Sequence, residues 1–158
     1  MKNLKLLSIS NNQHNKQSHL EEALAQMERL EELVIKNANF DCKFLNKIKN
    51  KKLLVSLKLG VNISSLHTVL GQMENLEVLS LKNFKGNFDQ SALCKLKNLQ
   101  KFSAKNCEDL GFFLDVASLT PILHQLTELT LDCQTNNSSS HFISNSVKKK
   151  KKKKKKKN

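Results

Sequence analysis

The sequence predicts an α/β solenoid, in which short parallel strands line one face of a stack of units and helices line the other. Two observations carry that expectation. One apolar phrase (apolar, two others, apolar, one other, apolar) returns six times, as Leu4-Leu7-Ile9, Leu30-Leu33-Ile35, Leu54-Leu57-Leu59, Leu76-Leu79-Leu81, Leu99-Phe102-Ala104 and Leu126-Leu129-Leu131. Its successive starts lie 26, 24, 22, 23 and 27 residues apart, and a fixed pattern returning at roughly 20–29 residues marks a stack of similar units. Within the phrase, the last two apolar residues sit two apart, as in a strand with one face buried. Between phrases the apolar residues fall at helical spacing instead.

Each phrase is therefore a strand, and the connectors follow in order. Ser18-His19-Leu20-Glu21 has the form of a capping box and opens a helix with Leu20, Leu24 and Met27 on one face. Asp41 can cap a segment carrying Phe44, Leu45 and Ile48, and Ser64 or Ser65 one carrying Leu66, Val69, Leu70 and Met73. Asp89 precedes Ala92, Leu93 and Leu96, and Asp109 precedes Phe112, Phe113, Val116 and Ala117. Thr120-Pro121 reads as a cap followed by proline at the first helical position, where its missing N–H is not needed. A strand–helix–strand crossover makes neighbouring strands parallel. Helices are about 10 Å wide and strands only about 4.8 Å apart, so such a stack is expected to curve with its strands on the concave side.

The stretch from Leu54 to Asn62 has the form LxxLxLxxN, and that from Leu4 to Asn12 the same form with Ile9 in the third apolar place. It resembles the leucine-rich repeat family, and the resemblance extends over residues 1–135. It implies an α/β horseshoe, and a ninth-position Asn or Cys bonded to backbone inside each turn. That slot holds Asn12, Ala38, Asn62, Phe84, Cys107 and Gln134. Asn12, Asn62 and Cys107 are thus the expected turn residues. Ala38 and Phe84 cannot make these bonds, although Asn37, Asn39 and Asn83 lie beside them. The unequal spacing and helical connectors are most similar to intracellular repeats of the F-box-associated and ribonuclease-inhibitor-like types. A cytoplasmic or nuclear location is expected accordingly.

Three segments are expected: about six repeats over 1–135, a polar linker over 136–147, and a disordered lysine tail over 148–158. Neither end of the repeat region carries an atypical unit to shield its apolar end face, so the repeats read as a fragment of a longer array. The formal charge of +13 misleads, because ten of the 27 basic residues are the run from Lys148 to Lys157. The remaining 17 face 14 acids, a balance of +3. Three readings of the tail stay open: a polybasic tether to anionic lipid or nucleic acid, a solvated appendage, or translation through an adenine tract. Any polyanion binding through Lys148–Lys157 is expected to be non-specific, with no aromatic residues interleaved as stacking platforms.

No phosphate loop, GxSxG elbow, HExxH or paired-cysteine motif occurs. The five histidines are dispersed, and Cys42, Cys94, Cys107 and Cys133 lack the close pairing of a zinc site. No stretch approaches the length of a membrane span. An enzyme, a cofactor and a metal are not expected.

What remains is the strand face turned away from the leucines. Alternation places there Leu6, Ser8, Ser10; Glu32, Val34, Lys36; Ser56, Lys58, Gly60; Val78, Ser80, Lys82; Lys101, Ser103, Lys105; and Glu128, Thr130, Asp132. Lys36, Lys58, Lys82, Lys101 and Lys105, with Ser80 and Ser103, form a basic stripe suited to steering an acidic protein partner. The alternative is a solvated face that keeps an exposed sheet soluble. The expected role is a non-catalytic protein-binding module, in its most specific form substrate recognition for an F-box-type ubiquitin ligase. The rival is a polyanion or membrane-surface binder acting through the tail.

Overall fold

The computed structural model describes residues 1–10, 17–38, 42–61, 66–83, 91–108, 116–134 and 145–148. Among these, the strands are β1 (Leu6–Ser10), β2 (Glu32–Ala38), β3 (Ser56–Val61), β4 (Val78–Lys82), β5 (Lys101–Glu108), β6 (Glu128–Gln134) and β7 (Asn145–Lys148). The α-helices are α1 (Gln17–Gln26), α2 (His67–Leu70), α3 (Ser91–Cys94) and α4 (Val116–Leu123), with 3-10 turns at Cys42–Lys47 and Lys51–Leu53. The strands form one sheet in sequence order, β1 to β6 parallel and β7 antiparallel beside β6.

Each apolar phrase lies in register with the next. Leu7, Leu33, Leu57, Leu79, Phe102 and Leu129 form one column, and Ile9, Ile35, Leu59, Leu81, Ala104 and Leu131 another. A repeated backbone clasp fixes this alignment just ahead of the strands. The Lys5 carbonyl accepts from the N–H groups of Glu31 and Glu32, both at 2.8 Å. The Glu31, Val55, Glu77 and Gln100 carbonyls do the same for Val55–Ser56, Glu77–Val78, Gln100–Lys101 and Thr127–Glu128. One carbonyl per unit thus satisfies two donors that would otherwise be orphaned at a strand's start.

Both strand columns bury their middle members completely, in one cluster with Leu24 and Met27, Phe44 and Leu45, Val69 and Leu70, and Leu93 and Leu96 from the connectors. Each fully buried leucine stabilises the fold by about 1.5–3 kcal/mol. Such a sum dwarfs surface ion pairs, each worth roughly 0–1 kcal/mol. The cluster weakens at the first strand, where Leu7 and Ile9 are only partly buried and Leu4 and Leu6 are exposed.

Connector geometry departs in five connectors from the sequence expectation of capped helices two or three turns long. Helix α1 begins at Gln17, so Ser18 lies inside it rather than capping it. The segment after Asp41 is a 3-10 turn, not an α-helix, and α2 and α3 are single turns of four residues. A short connector needs only one tight turn to bury Phe44–Leu45, Val69–Leu70 or Ala92–Leu93. Pro121 lies within α4 instead of opening a helix. Ile122 beyond it is buried, and one missing backbone bond is the cost of continuing to it.

Asparagines stitch these turns together. Asn75 donates from its side chain to the Lys52 carbonyl (2.8 Å), and Asn98 to the Glu74 carbonyl (3.0 Å) and the Asn75 side-chain oxygen (3.3 Å). Gln125, one unit on, donates to the Leu96 carbonyl at 2.7 Å. At the far end, β7 occupies residues expected to be linker and the first lysine of the tail. It aligns Val147 with Leu129 and Lys148 with Glu128, and so covers one backbone edge of β6.

Candidate partner-binding face

Register dictates which outward side chains meet. Ser8, Val34, Lys58, Ser80, Ser103 and Thr130 run across six strands as one row. One step along the strands lies a second row, in which Ser10 is opposite Lys36, Lys36 opposite Gly60, Lys82 opposite Lys105 and Lys105 opposite Asp132. A third row holds Leu6, Glu32, Ser56, Val78, Lys101 and Glu128.

The basic residues do not behave alike. Lys101 is tied to Glu128 at 3.6 Å. Lys5, Lys49 and Lys52, on the edges of the turns, are likewise paired with Glu31, Glu28 and Glu74 at 2.8, 2.9 and 3.1 Å. Lys36, Lys58, Lys82 and Lys105 are exposed, and among the described residues none has a carboxylate at ion-pair distance. Lys105 has the Asp132 position directly across the sheet, whereas Lys36 faces Ser10 and Gly60, and Lys58 faces Val34 and Ser80.

Three of these uncompensated lysines converge. A depression of about 260 Å³ is lined by Lys36, Lys58, Lys82, Ser80, Gly60, Ile35 and Leu59. Gly60 makes its floor, because it occupies an outward position without a side chain between β2 and β4. Ser103 sits half-buried next to Ser80, outside this lining. The expected stripe therefore separates into a cationic hollow on β2–β4, an ion pair at Lys101, and Lys105 beside Asp132.

Besides Gly60, which is buried at the base of the hollow, two outward positions are covered rather than open. Val34 and Ser56 are 9% and 6% exposed. Both are short side chains flanked in register by longer ones, Lys58 beside Val34 and Glu32 and Val78 beside Ser56, whose stems shield them. The Ser56 hydroxyl has no hydrogen-bond partner among the described residues.

Of the turn residues, Cys107 is fully buried, its thiol 3.3 Å from the Lys105 carbonyl and 3.9 Å from that of Leu81. Asn12 and Asn62 lie outside the described residues, as does the lysine run beyond Lys148. The sequence reading did not single out Asn106, which adjoins Cys107 and bonds Asn83. Nor did it single out Asn75 and Asn98; the signal available was an amide residue directly before the first leucine of the phrase. Among the described residues no group of three His, Cys, Asp or Glu side chains could hold a metal ion, and no helix is long and apolar enough to cross a membrane.

The fold is similar to that of an internalin from Listeria monocytogenes, with a TM-score of 0.53 and 22% sequence identity. The match covers 72% of this chain and 32% of the internalin chain, so this chain corresponds to about a third of that structure's length. At that identity the likeness establishes the fold, a leucine-rich-repeat type with parallel strands stacked one per unit. No protein-family model and no curated protein matches the chain.

Proposed function

We propose that this chain is a non-catalytic protein-interaction module that receives an acidic partner on its outward strand face. The observation that carries the reading is the contrast between paired and unpaired lysines. Those at the turn edges and at Lys101 are neutralised by neighbouring glutamates, while Lys36, Lys58 and Lys82 gather around a hollow that, among the described residues, has no carboxylate in its lining. Like charges held together repel, and a complementary acidic surface relieves that repulsion on binding while it steers the encounter. In a repeat stack that curves as its strand and helix widths require, this face is the concave one, and neighbouring rows can read an extended segment. Substrate recognition for an F-box-type ubiquitin ligase is the finer form of this reading, and it rests on the unequal spacing of the units alone.

Peptides selected against the full chain from a random display library test it. The expected consensus is acidic, and Lys82→Glu with Lys105→Glu should abolish its binding while circular dichroism stays unchanged. Deleting residues 149–158 should leave the binding intact. Selected peptides that ignore the double substitution but are lost with the tail would reverse the conclusion.

A further inference from the structure

We infer that the hollow at Gly60 is a subsite for a phosphate monoester carried on a side chain of the bound partner, with Lys36, Lys58 and Lys82 as its ligands. The inference rests on the proposed protein-binding role of this face and names the chemistry of its central contact. Lys36 on β2 is in register with Gly60, and Lys82 on β4 directly follows Leu81, the partner of Leu59, and lines the same hollow. Two strand spacings put the α-carbons of Lys36 and Lys82 about 10 Å apart. Lys58 lies two residues before Gly60 on β3, about 7 Å along the strand. Flexible four-carbon stems allow three ammonium groups to close over the floor from three directions. Ser80, opposite Lys58, adds a hydroxyl that can donate to the same ligand.

This arrangement fits a phosphate better than a carboxylate. A carboxylate offers one charge and two oxygens in a plane, the geometry that a guanidinium fork matches, and no arginine lines the hollow. A phosphate monoester has close to two charges and three acceptor oxygens spread tetrahedrally, and separate point-charge donors suit it. The acidic residue nearest in the pattern is Glu32, on the same face but in register with Ser56 rather than with the lysines. The hollow also lies within the sheet, with β1 on one side and β5 and β6 on the other, so a ligand there can continue across neighbouring strands. That placement favours a side chain on a polypeptide over an isolated headgroup.

The test uses the full chain and three seven-residue peptides of Gly and Ser, with phosphoserine, Ser or Glu at the centre, by fluorescence anisotropy near physiological salt. The phosphoserine peptide should bind at least about tenfold more tightly than either of the others, the step expected of charge-assisted contacts. Replacing Lys36, Lys58 and Lys82 together by Gln should erase that advantage. The same change at the exposed Lys47, Lys95 and Lys97 should preserve it, since the tail and the net charge are then matched. Equal binding of the Glu peptide, or an advantage that survives the first triple variant, would overturn the inference. So would affinity confined to vesicles containing phosphatidylinositol phosphate. If the phosphoserine advantage is absent while display-selected peptides still need Lys82 and Lys105, only the phosphate assignment fails. If those peptides ignore the face, the binding role itself fails.

Discussion

Asn106 donates its side-chain amide to the Asn83 side-chain oxygen at 2.8 Å, and both asparagines adopt left-handed backbone, with φ of 50° and 57°. These two facts are coupled. At Asn83 the left-handed residue directly follows the end of β4, and at Asn106 it sits where the register of β5 with β6 shifts between Lys105 and Cys107. Asparagine is among the few side-chain-bearing residues that enter that region readily. Replacing Asn106 by Ala removes the bond and adds backbone strain of roughly 1–2 kcal/mol. Replacing it by Gly removes only the bond, which is exposed and worth about 0.5–1 kcal/mol. Urea denaturation should therefore rank Asn106→Ala below Asn106→Gly, and both below the parent. Equal losses would mean that the backbone conformation carries no cost.

Burial in the first unit and in the middle of the stack predicts a gradient. Leu79 is fully buried in the middle of the sheet, and Leu4, in the first unit, is 37% exposed. Leu79→Ala should cost about 2–5 kcal/mol, since the surrounding stack cannot collapse into the space left. Leu4→Ala should cost well under half as much. Chemical denaturation of the two variants checks this, and similar losses would show that the first unit is as tightly packed as the fourth.

The strands were legible because each phrase states its burial directly: two leucines at period two must share a core side, and six phrases gave six parallel strands in register. Connectors were less so. Phe44–Leu45 and Val69–Leu70 need only one turn to reach the core, and helical spacing alone does not distinguish a 3-10 turn from a longer α-helix. The outward lysines followed from the same alternation, but the hollow they line did not. It depends on a side chain that Gly60 lacks and on which lysines neighbouring glutamates neutralise. Residues 145–148 contain no apolar phrase, and their pairing with β6 is made by backbone. Asn75 and Asn98 escaped notice because their partners lie one unit away, about 23 positions earlier in the chain.

Glu28 gives the fold a pH dependence whose sign can be worked out. The Lys49 ammonium donates to its carboxylate at 2.9 Å, and this hydrogen bond, then the charges of Lys49 and Lys2, hold its pKa below the ordinary 4.5. A carboxylate with a depressed folded pKa contributes stability that is fully present above its unfolded value and is lost as pH falls through the folded one. Below about pH 4.5, the parent should therefore lose stability that Lys49→Ala never had, so the two should converge in acid. Carbon-detected NMR titration should show the Glu28 midpoint rising in Lys49→Ala, and more so in low salt, where exposed charges are less screened. An unmoved midpoint would remove Lys49 as the cause.

Ser56 makes the opposite kind of prediction, a substitution that strengthens the fold. Its hydroxyl is buried between Glu32 and Val78, without a partner among the described residues, in a row where the next unit places valine. A buried hydroxyl that makes no bond loses hydration without compensation, at a cost of roughly 1–3 kcal/mol. Ser56→Ala removes the hydroxyl and leaves only a small space, so thermal unfolding should shift upward by an amount equivalent to about 1 kcal/mol. Because Ser56 does not line the hollow, phosphoserine-peptide affinity should stay that of the parent. A lower melting temperature would show that the hydroxyl is bonded in solution, and reduced affinity would extend the binding surface to the Ser56 row.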